Sequence, residues 1–233
     1  MIQILLCSAQ IFVKKMIQIN SLTFSYPSGE FRLDIKELAV NRGEKVAFVG
    51  PSGSGKTTLL NLVAGILTPS NGSVTVSDEV VSGLNDTARR NFRISNIGFI
   101  FQDFGLLDYL DVLDNILHPY RITDALLLDQ KVRARAEKLA HQMGIADKLQ
   151  RLPDDLSQGE RQRVAICRAL RPGPKVILAD EATGNLDPKN KAHILELLSE
   201  NVTNHNATLL AVTHDHELLK SFDRVVNFLD FRS

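Results

Sequence analysis

The chain has few cysteines, no net charge and no long uninterrupted apolar run. Its two cysteines, Cys7 and Cys167, give neither a disulfide framework nor the spacing of a metal site, which fits a reducing cytosol. Twenty-seven basic and twenty-seven acidic residues cancel, so the chain offers no broad attraction to nucleic acid or anionic lipid. The longest apolar stretch, Ile2 to Val13, is interrupted by polar residues and is too short to cross a bilayer. We therefore expect one large globular domain, or one domain with a lobe.

The first fifteen residues resemble an addition to the domain. Met1–Ile4 recurs as Met16–Ile19, which favours Met16 as the natural start or residues 1–15 as an appendage. No basic residues precede the apolar part and no clean small-residue cleavage site follows it, so a signal peptide is not expected. The domain itself is predicted to run from 16 to 233.

Residues 50–57 read Gly-Pro-Ser-Gly-Ser-Gly-Lys-Thr and match the phosphate-binding pattern G-x-x-x-x-G-K-[ST]. The apolar run 45–49 precedes the loop and residues 58–64 follow it with helical character, which is the strand–turn–helix context that the motif needs. Lys56 is expected to reach the β- and γ-phosphates, and Thr57 to place its hydroxyl on Mg²⁺. The alternative is a flexible glycine loop, which would not need Lys and Thr in register. The other loop residues predicted to bind ATP are Gly50, Ser52, Gly53, Ser54, Gly55 and Thr58.

A second acidic site follows the apolar strand predicted at 175–179. Asp180 at the strand tip suits the Mg²⁺ shell, usually through water. Glu181, one residue later, would face the γ-phosphate and orient or deprotonate the attacking water. The alternative is an ordinary buried strand followed by an acidic helix start.

Two further motifs lie downstream. Residues 156–160 read Leu-Ser-Gln-Gly-Glu, in which Ser157 and Glu160 form a possible capping box for a helix over 161–170. A capped helix start that carries Ser and Gly can also bind an anion. His214 follows the strand predicted at 208–212, and strand ends are where α/β sheets place ligand chemistry. A lone histidine is otherwise usually an ordinary surface or core residue.

In this order the motifs resemble the ATP-binding subunit of ABC transporters, from about Ile17 to Leu229. The resemblance implies that Tyr26 stacks on adenine, and that Gln102 contacts Mg²⁺ and the water and senses a membrane partner. It implies that His214 is the switch histidine and that Asp187 lies in a loop crossing a dimer interface. Taken singly, Tyr26 could simply pack beside a proline turn and Gln102 could be an exposed loop residue.

The resemblance also implies a homodimer. Ser157 and Gly159 would bind the γ-phosphate of an ATP molecule held by Lys56 of a second copy, so that two ATP molecules join two subunits head to tail. Gln158 stands where the family more commonly has glycine, and Ala182 stands where proline is usual.

The fold implied is α/β: a P-loop NTPase, RecA-like core with an antiparallel β edge subdomain and an inserted α-helical subdomain at about 103–170. The partner implied is an integral membrane permease subunit whose cytoplasmic helix sits beside Gln102, in a groove lined by residues 104–120. The chain would then be peripheral, at the cytoplasmic face of the inner or plasma membrane.

Residues 98–102, 160–163 and 184–187 look most like the bacterial group of lipoprotein-releasing, macrolide-exporting and cell-division ATPases. Two other classes stay open. A DNA-repair or chromosome-structuring ATPase would carry long coiled coils or zinc modules between Gln102 and the family's signature segment, which is residues 156–160 here, where this chain has one compact lobe. A non-catalytic regulatory module would bind ATP to assemble a membrane complex, although every catalytic position here is filled.

Periodicity gives the secondary structure. Alternation of apolar and polar residues predicts strands at 17–26 and 31–40. Further strands are predicted at 72–76 and 97–101, helices at 129–143 and 187–201, and a mainly helical region over 105–170.

Overall fold

The structure is a computed structural model and describes residues 14–27, 29, 31–182, 188–215 and 217–231. The strands within these ranges are β1 (Lys15–Ser25), β2 (Arg32–Asn41), β3 (Lys45–Val49), β4 (Asn71–Val76), β5 (Glu79–Val80), β6 (Ile97–Ile100), β7 (Val176–Asp180), β8 (Thr208–Val212) and β9 (Arg224–Asn227). The α-helices are α1 (Lys56–Val63), α2 (Asp86–Asn96), α3 (Val112–Arg121), α4 (Gln130–Gln142), α5 (Gln158–Leu170) and α6 (Pro188–His205). Short 3-10 turns connect several of these elements.

Four strands form an antiparallel sheet in the order β2-β1-β4-β5. Ile19 of β1 lies opposite Leu38 of β2 and Val74 of β4, and all three are buried. Apolar residues alternate along β1 and β2 because one face of this sheet covers the core while the other meets solvent. The predicted antiparallel β edge is therefore confirmed.

Five strands form a parallel sheet in the order β6-β7-β8-β3-β9. Every residue of β7 and β8 is buried, as expected for strands with both faces covered. Val212 of β8 pairs with both Phe48 of β3 and Asp180 of β7. Three strands therefore end at the same level, and the segments that follow them emerge side by side.

One apolar core joins the two sheets through α1. Leu59 and Leu62 of α1 are buried against it together with Phe48 of the parallel sheet and Ile17 and Val74 of the antiparallel sheet. Burial of so many large side chains fixes the position of α1, whose first residue closes the phosphate-binding loop.

Helices α3, α4 and α5 lie between β6 and β7 in chain order and share a second apolar cluster, which includes Ile116, Ala136, Val164 and Ile166. Loops separate these helices. The fully buried Asn115 of α3 holds the loop that leads from β6 into this helix, because its side-chain amide exchanges hydrogen bonds with the backbone of residues 107–111. The entry into the three-helix lobe is thus fixed by a buried side chain.

Helix α2 was not expected from the sequence. None of its residues is fully buried, and its apolar residue Phe92 packs only partly buried against the main core, so the apolar pattern of this helix is weak. Its start is nevertheless marked by Asn85, whose side chain accepts a hydrogen bond from Ala88 N. Within the described ranges, none of the helices combines the length and the apolar character that a membrane crossing requires.

Candidate functional site

An open cleft of about 340 Å³ lies at the carboxyl end of the parallel sheet, beside the end of β1. It contains most of the residues that the sequence singled out. Its lining consists of Tyr26, Phe31, Ser52, Gly53, Gly55, Lys56, Thr57, Thr58, Gln102, Glu181, Val212 and His214. Phe31 and Val212 are lining residues that the motifs alone did not indicate.

The loop between β3 and α1 depends on glycine. Gly50, Gly53 and Gly55 have φ of 149°, 73° and 108°, a region that other residues rarely adopt. A Cβ on Gly55 would lie 2.6 Å from Cζ of Phe31, so no larger residue fits there without displacing that ring. Ser54 is buried inside the turn, with its N–H donating to Pro51 O at 3.3 Å. The predicted loop therefore forms, with its backbone curled around the side chain of Lys56.

Lys56 lies inside this loop and is only 6% exposed. Its Nζ donates hydrogen bonds of 2.8 Å to the carbonyl oxygens of Gly50 and Pro51. Burial lowers the pKa of the Lys56 ammonium, and the charges of Glu181 and Asp180 oppose that change. A cation held this way inside a curled loop is placed to meet phosphate oxygens.

Thr57 and Asp180 bring two oxygen ligands together. Asp180 is 4% exposed, and burial raises the pKa of its carboxyl, while a hydrogen bond with Thr57 acts in the opposite direction. The side-chain amide of Gln102 lies at the edge of the same cleft. Hydroxyl, carboxylate and amide oxygens are the ligands that Mg²⁺ prefers, and a dication would offset the cost of burying Asp180. These three residues therefore fit the predicted metal.

Glu181 lies between Gln102 and His214. Gln102 Nε2 donates to Glu181 Oε2 at 3.4 Å, and His214 Nε2 lies 3.0 Å from Glu181 Oε1. Glu181 has φ of 49°, which is unusual outside glycine, and its N–H donates to Val212 O at 3.1 Å. A strained backbone of this kind is typical of functional positions and here turns the carboxylate into the cleft.

The segment that carries His214 is held on both sides. Thr213 N–H donates to Phe48 O at 3.3 Å, which ties the segment to β3. Lys191 of α6 forms an ion pair with Asp215 at 3.0 Å, and this contact lowers the pKa of the Asp215 carboxyl. His214 thus projects from a short segment fixed at both of its neighbours.

An aromatic cluster stands at the other end of the cleft. The Tyr26 ring packs edge-on against Phe24 at 4.9 Å and tilted against Phe31 at 5.7 Å. Tyr26 Oη lies 3.1 Å from Thr58 Oγ1, and the ring is 37% exposed toward the cleft. This surface offers a flat apolar face of the kind on which a base stacks.

The signature segment forms the capping box that the sequence predicted. Ser157 N–H donates to Glu160 Oε2 at 2.8 Å and Glu160 N–H donates to Ser157 Oγ at 3.3 Å, so α5 begins at Gln158. The Ser157 hydrogen bonds lower the pKa of the Glu160 carboxyl. Ser157 is exposed, and neither Ser157 nor Gly159 lines the cleft of its own chain. Asp187 lies outside the described residues.

Comparison with known proteins gives a consistent family. Residues 33–184 match the family described as ABC transporter. The chain is 40% identical over 223 residues to the lipoprotein-releasing system ATP-binding protein LolD of Geobacter metallireducens, covering 94% of this chain and 98% of that protein. It is also 40% identical to the macrolide export ATP-binding/permease protein MacB of Rhodopirellula baltica, over 92% of this chain and 32% of MacB.

Solved structures agree with the sequence matches. The dimeric structure of MJ0796, a bacterial ABC transporter cassette, superimposes with a TM-score of 0.83 at 33% identity, covering 91% of this chain and 94% of that one. A dimeric post-hydrolysis state of the same cassette bound to ADP and Pi gives a TM-score of 0.81 at 32% identity. The predicted α/β P-loop NTPase fold is confirmed by these matches. With relatives at 40% identity along nearly all of its length, the chain belongs to the ABC transporter family, as one of its ATP-binding cassettes.

Proposed function

We propose that two copies of this chain bind and hydrolyse ATP with Mg²⁺ between them and thereby drive a separate integral membrane permease from the cytoplasmic face of the inner or plasma membrane. The observation that carries the proposal is the separation of two half-sites on one chain. The phosphate loop around Lys56 opens into the cleft, whereas Ser157 is exposed and lies away from it. Each half therefore needs its counterpart from another molecule.

Within one half-site, different residues bind different parts of the nucleotide. Tyr26 provides a stacking face for the base, and Lys56 with the loop N–H groups holds the phosphates. Thr57, Gln102 and Asp180 would hold Mg²⁺, which when bound offsets charge on the β- and γ-phosphates. The nucleotide thus lies along the cleft from the aromatic cluster to the acidic strand end.

Hydrolysis needs a water molecule aligned with the γ-phosphate. Glu181 takes the proton of that water. His214, whose Nε2 lies 3.0 Å from Glu181 Oε1, orients the carboxylate and disperses part of its negative charge. Lys56 stabilises the phosphoryl oxygens as the bond to the leaving group lengthens. Phosphoryl transfer demands placement and charge more than covalent help, and the cleft supplies both.

The second half-site is the start of α5. Its N–H groups can bind an anion at a helix N-terminus, and the Ser157 hydroxyl, which here donates to Glu160 Oε2 at 2.7 Å, would turn to the γ-phosphate bound by the other copy. Gly159 leaves room for that close approach. The dimeric structures of MJ0796 support this arrangement, since the similarity to that cassette covers 91% of this chain.

A groove of about 220 Å³ beside the Gln102 segment is the proposed binding site of the permease. It combines apolar side chains, such as Phe99 and Pro119, with the basic residues His118 and Arg168. The permease in the name of the relative MacB supports a membrane partner of this type, and so do the ATP-binding proteins of lipoprotein-releasing systems.

A mixing experiment tests the shared site. Lys56→Ala and Ser157→Arg proteins, each inactive alone, are combined, and ATP hydrolysis is measured. Because a head-to-tail heterodimer contains one site with both Lys56 and Ser157 intact, we expect activity to return to about a quarter of the wild-type rate for random pairing of equally active sites. Mixing Lys56→Ala with Lys56→Met is the matched control and should restore nothing. A mixture as inactive as its components would refute the shared site.

A further inference from the structure

The chain reverses direction immediately after Gln102. Phe104 and Gly105 have φ of 66° and 55°, and the turn is closed by a hydrogen bond from Phe104 N–H to Phe101 O at 3.2 Å. A left-handed conformation is unfavourable for a residue such as Phe104, because its Cβ crowds the following carbonyl oxygen. Contacts from elsewhere must therefore hold this turn.

Arg168 of α5 provides those contacts. Its Nη2 donates to Phe104 O at 2.6 Å, and its Nη1 donates to Gly105 O. The planar guanidinium can hold both carbonyls at once, which a lysine ammonium on a single flexible stem does less well. Burial lowers the pKa of Arg168 to about 10, with the charge of Asp103 opposing the change. The side chain remains a cation and is largely removed from solvent.

The position of Arg168 connects three functional regions. It lies on the helix that begins with the Ser157 half-site, roughly 16 Å along the helix axis from that end. It also lines the groove assigned to the permease, together with Phe101 and Gly105. Gln102, which lies within the turn closed between Phe101 and Phe104, donates to Glu181. Arg168 therefore links the groove, α5 and the turn through direct contacts.

We propose that Arg168 is a positioning residue that fixes the Gln102 segment to α5, so that Gln102 reaches Glu181 and the metal only while this contact is made. The inference rests on the proposed function, because it needs Gln102 to act in hydrolysis. Arg168 itself is not among the residues that line the cleft. It acts on the reaction through Gln102.

A double-mutant cycle separates positioning from general stability. The kcat for ATP is measured for wild type, Gln102→Ala, Arg168→Lys and the double variant, well below their melting temperatures. We expect Arg168→Lys to lower kcat about tenfold in the wild-type background and less than about twofold when Gln102 is already alanine. The affinity for a fluorescent ATP analogue in EDTA should stay within about twofold, because the phosphate loop is untouched.

Arg171→Lys is the matched control. It makes the same exchange at the residue that follows the last residue of α5, an arginine whose Nε donates to Val132 O instead, so its kcat should stay near wild type. Arg168→Gln is the second variant, because it removes the buried charge and should fold where lysine does not. A full tenfold loss from Arg168→Lys or Arg168→Gln in the Gln102→Ala background would overturn the inference alone. An unchanged kcat in Gln102→Ala itself would instead refute the proposed role of Gln102.

Discussion

The carboxylate of Glu181 and the imidazole of His214 meet at 3.0 Å, although they follow two different strands. The contact exists because Asp180 and Val212 pair across β7 and β8, which places the next residues of both strands at one level. Gln102 approaches the same carboxylate from the end of β6. Three strand ends thus converge on one acidic group, the arrangement expected at the carboxyl edge of a parallel sheet.

Replacing Glu181 by glutamine should abolish turnover while sparing nucleotide binding. The amide keeps the shape of the side chain but cannot take a proton from water, so we expect kcat to fall at least about 100-fold. ATP should then hold the dimer together, visible as a persistent dimer peak in size-exclusion chromatography. Glu217→Gln, at an exposed position nearby, is the control and should behave as wild type. Turnover near the wild-type rate would remove Glu181 from its proposed role.

Replacing Gly55 by alanine should weaken ATP binding at least about tenfold, which is ~1.4 kcal/mol. The new Cβ would lie 2.6 Å from Phe31, and the alanine would have to adopt φ of 108°. Both the loop and the Phe31 ring must therefore move. Titration with a fluorescent ATP analogue measures the effect. The control is Gly83→Ala, whose Cβ would meet only Val80 at an ordinary 3.7 Å. Equal affinities for the two variants would contradict this account of the loop.

Replacing Asn115 by alanine should destabilise the helical lobe by about 3 kcal/mol. Its side chain accepts from Leu107 N–H, and its two amide hydrogens are shared among three backbone carbonyls, so the equivalent of three hydrogen bonds of about 1 kcal/mol each is lost. Urea denaturation followed by circular dichroism gives the change. Asn91→Ala, which removes one exposed hydrogen bond to Thr123, should cost less than about 1 kcal/mol. A loss for Asn115→Ala no larger than this would contradict the prediction.

The capping box should make stability depend on pH. The pKa of Glu160 is lowered in the folded state from its ordinary value of 4.5, so the ionised group stabilises the fold above that pH. This contribution is lost as the pH falls through the lowered pKa. We expect Glu160→Gln to melt below wild type at neutral pH and to converge with it in acid. Glu79→Gln, exposed on β5, is the control and should have the same melting temperature as wild type at neutral pH. A constant difference between wild type and Glu160→Gln at all pH values would be inconsistent with this mechanism.

Much of the core could be predicted because the burial pattern of each strand is visible in the order of its own residues. The alternation along β1 and the continuous apolar runs of β7 and β8 each reflect how many faces a strand buries. The phosphate loop and the capping box of Ser157 are set by short-range geometry, so their residue patterns are readable directly. The roles assigned to Tyr26 and His214 stay predictions, although the structure brings both into one cleft.

The rest depends on contacts between distant segments. Phe31 enters the cleft only because β2 folds back beside β1, and nothing in its own neighbourhood marks it. Arg168 has the same character, since its partners lie more than sixty positions earlier in the chain. Helix α2 escaped prediction for a different reason, because most of its residues are polar and its apolar Phe92 is only partly buried against the core.

The two ends of the nucleotide cleft belong to different sheets. Tyr26 follows a strand of the antiparallel sheet, while Lys56 follows a strand of the parallel one. A bound nucleotide would therefore contact both sheets at once. Its affinity would change if one sheet shifted relative to the other. Substitutions deep at the seam between the layers, at Ile17 or Val74 for example, should consequently alter nucleotide affinity without touching a single binding motif.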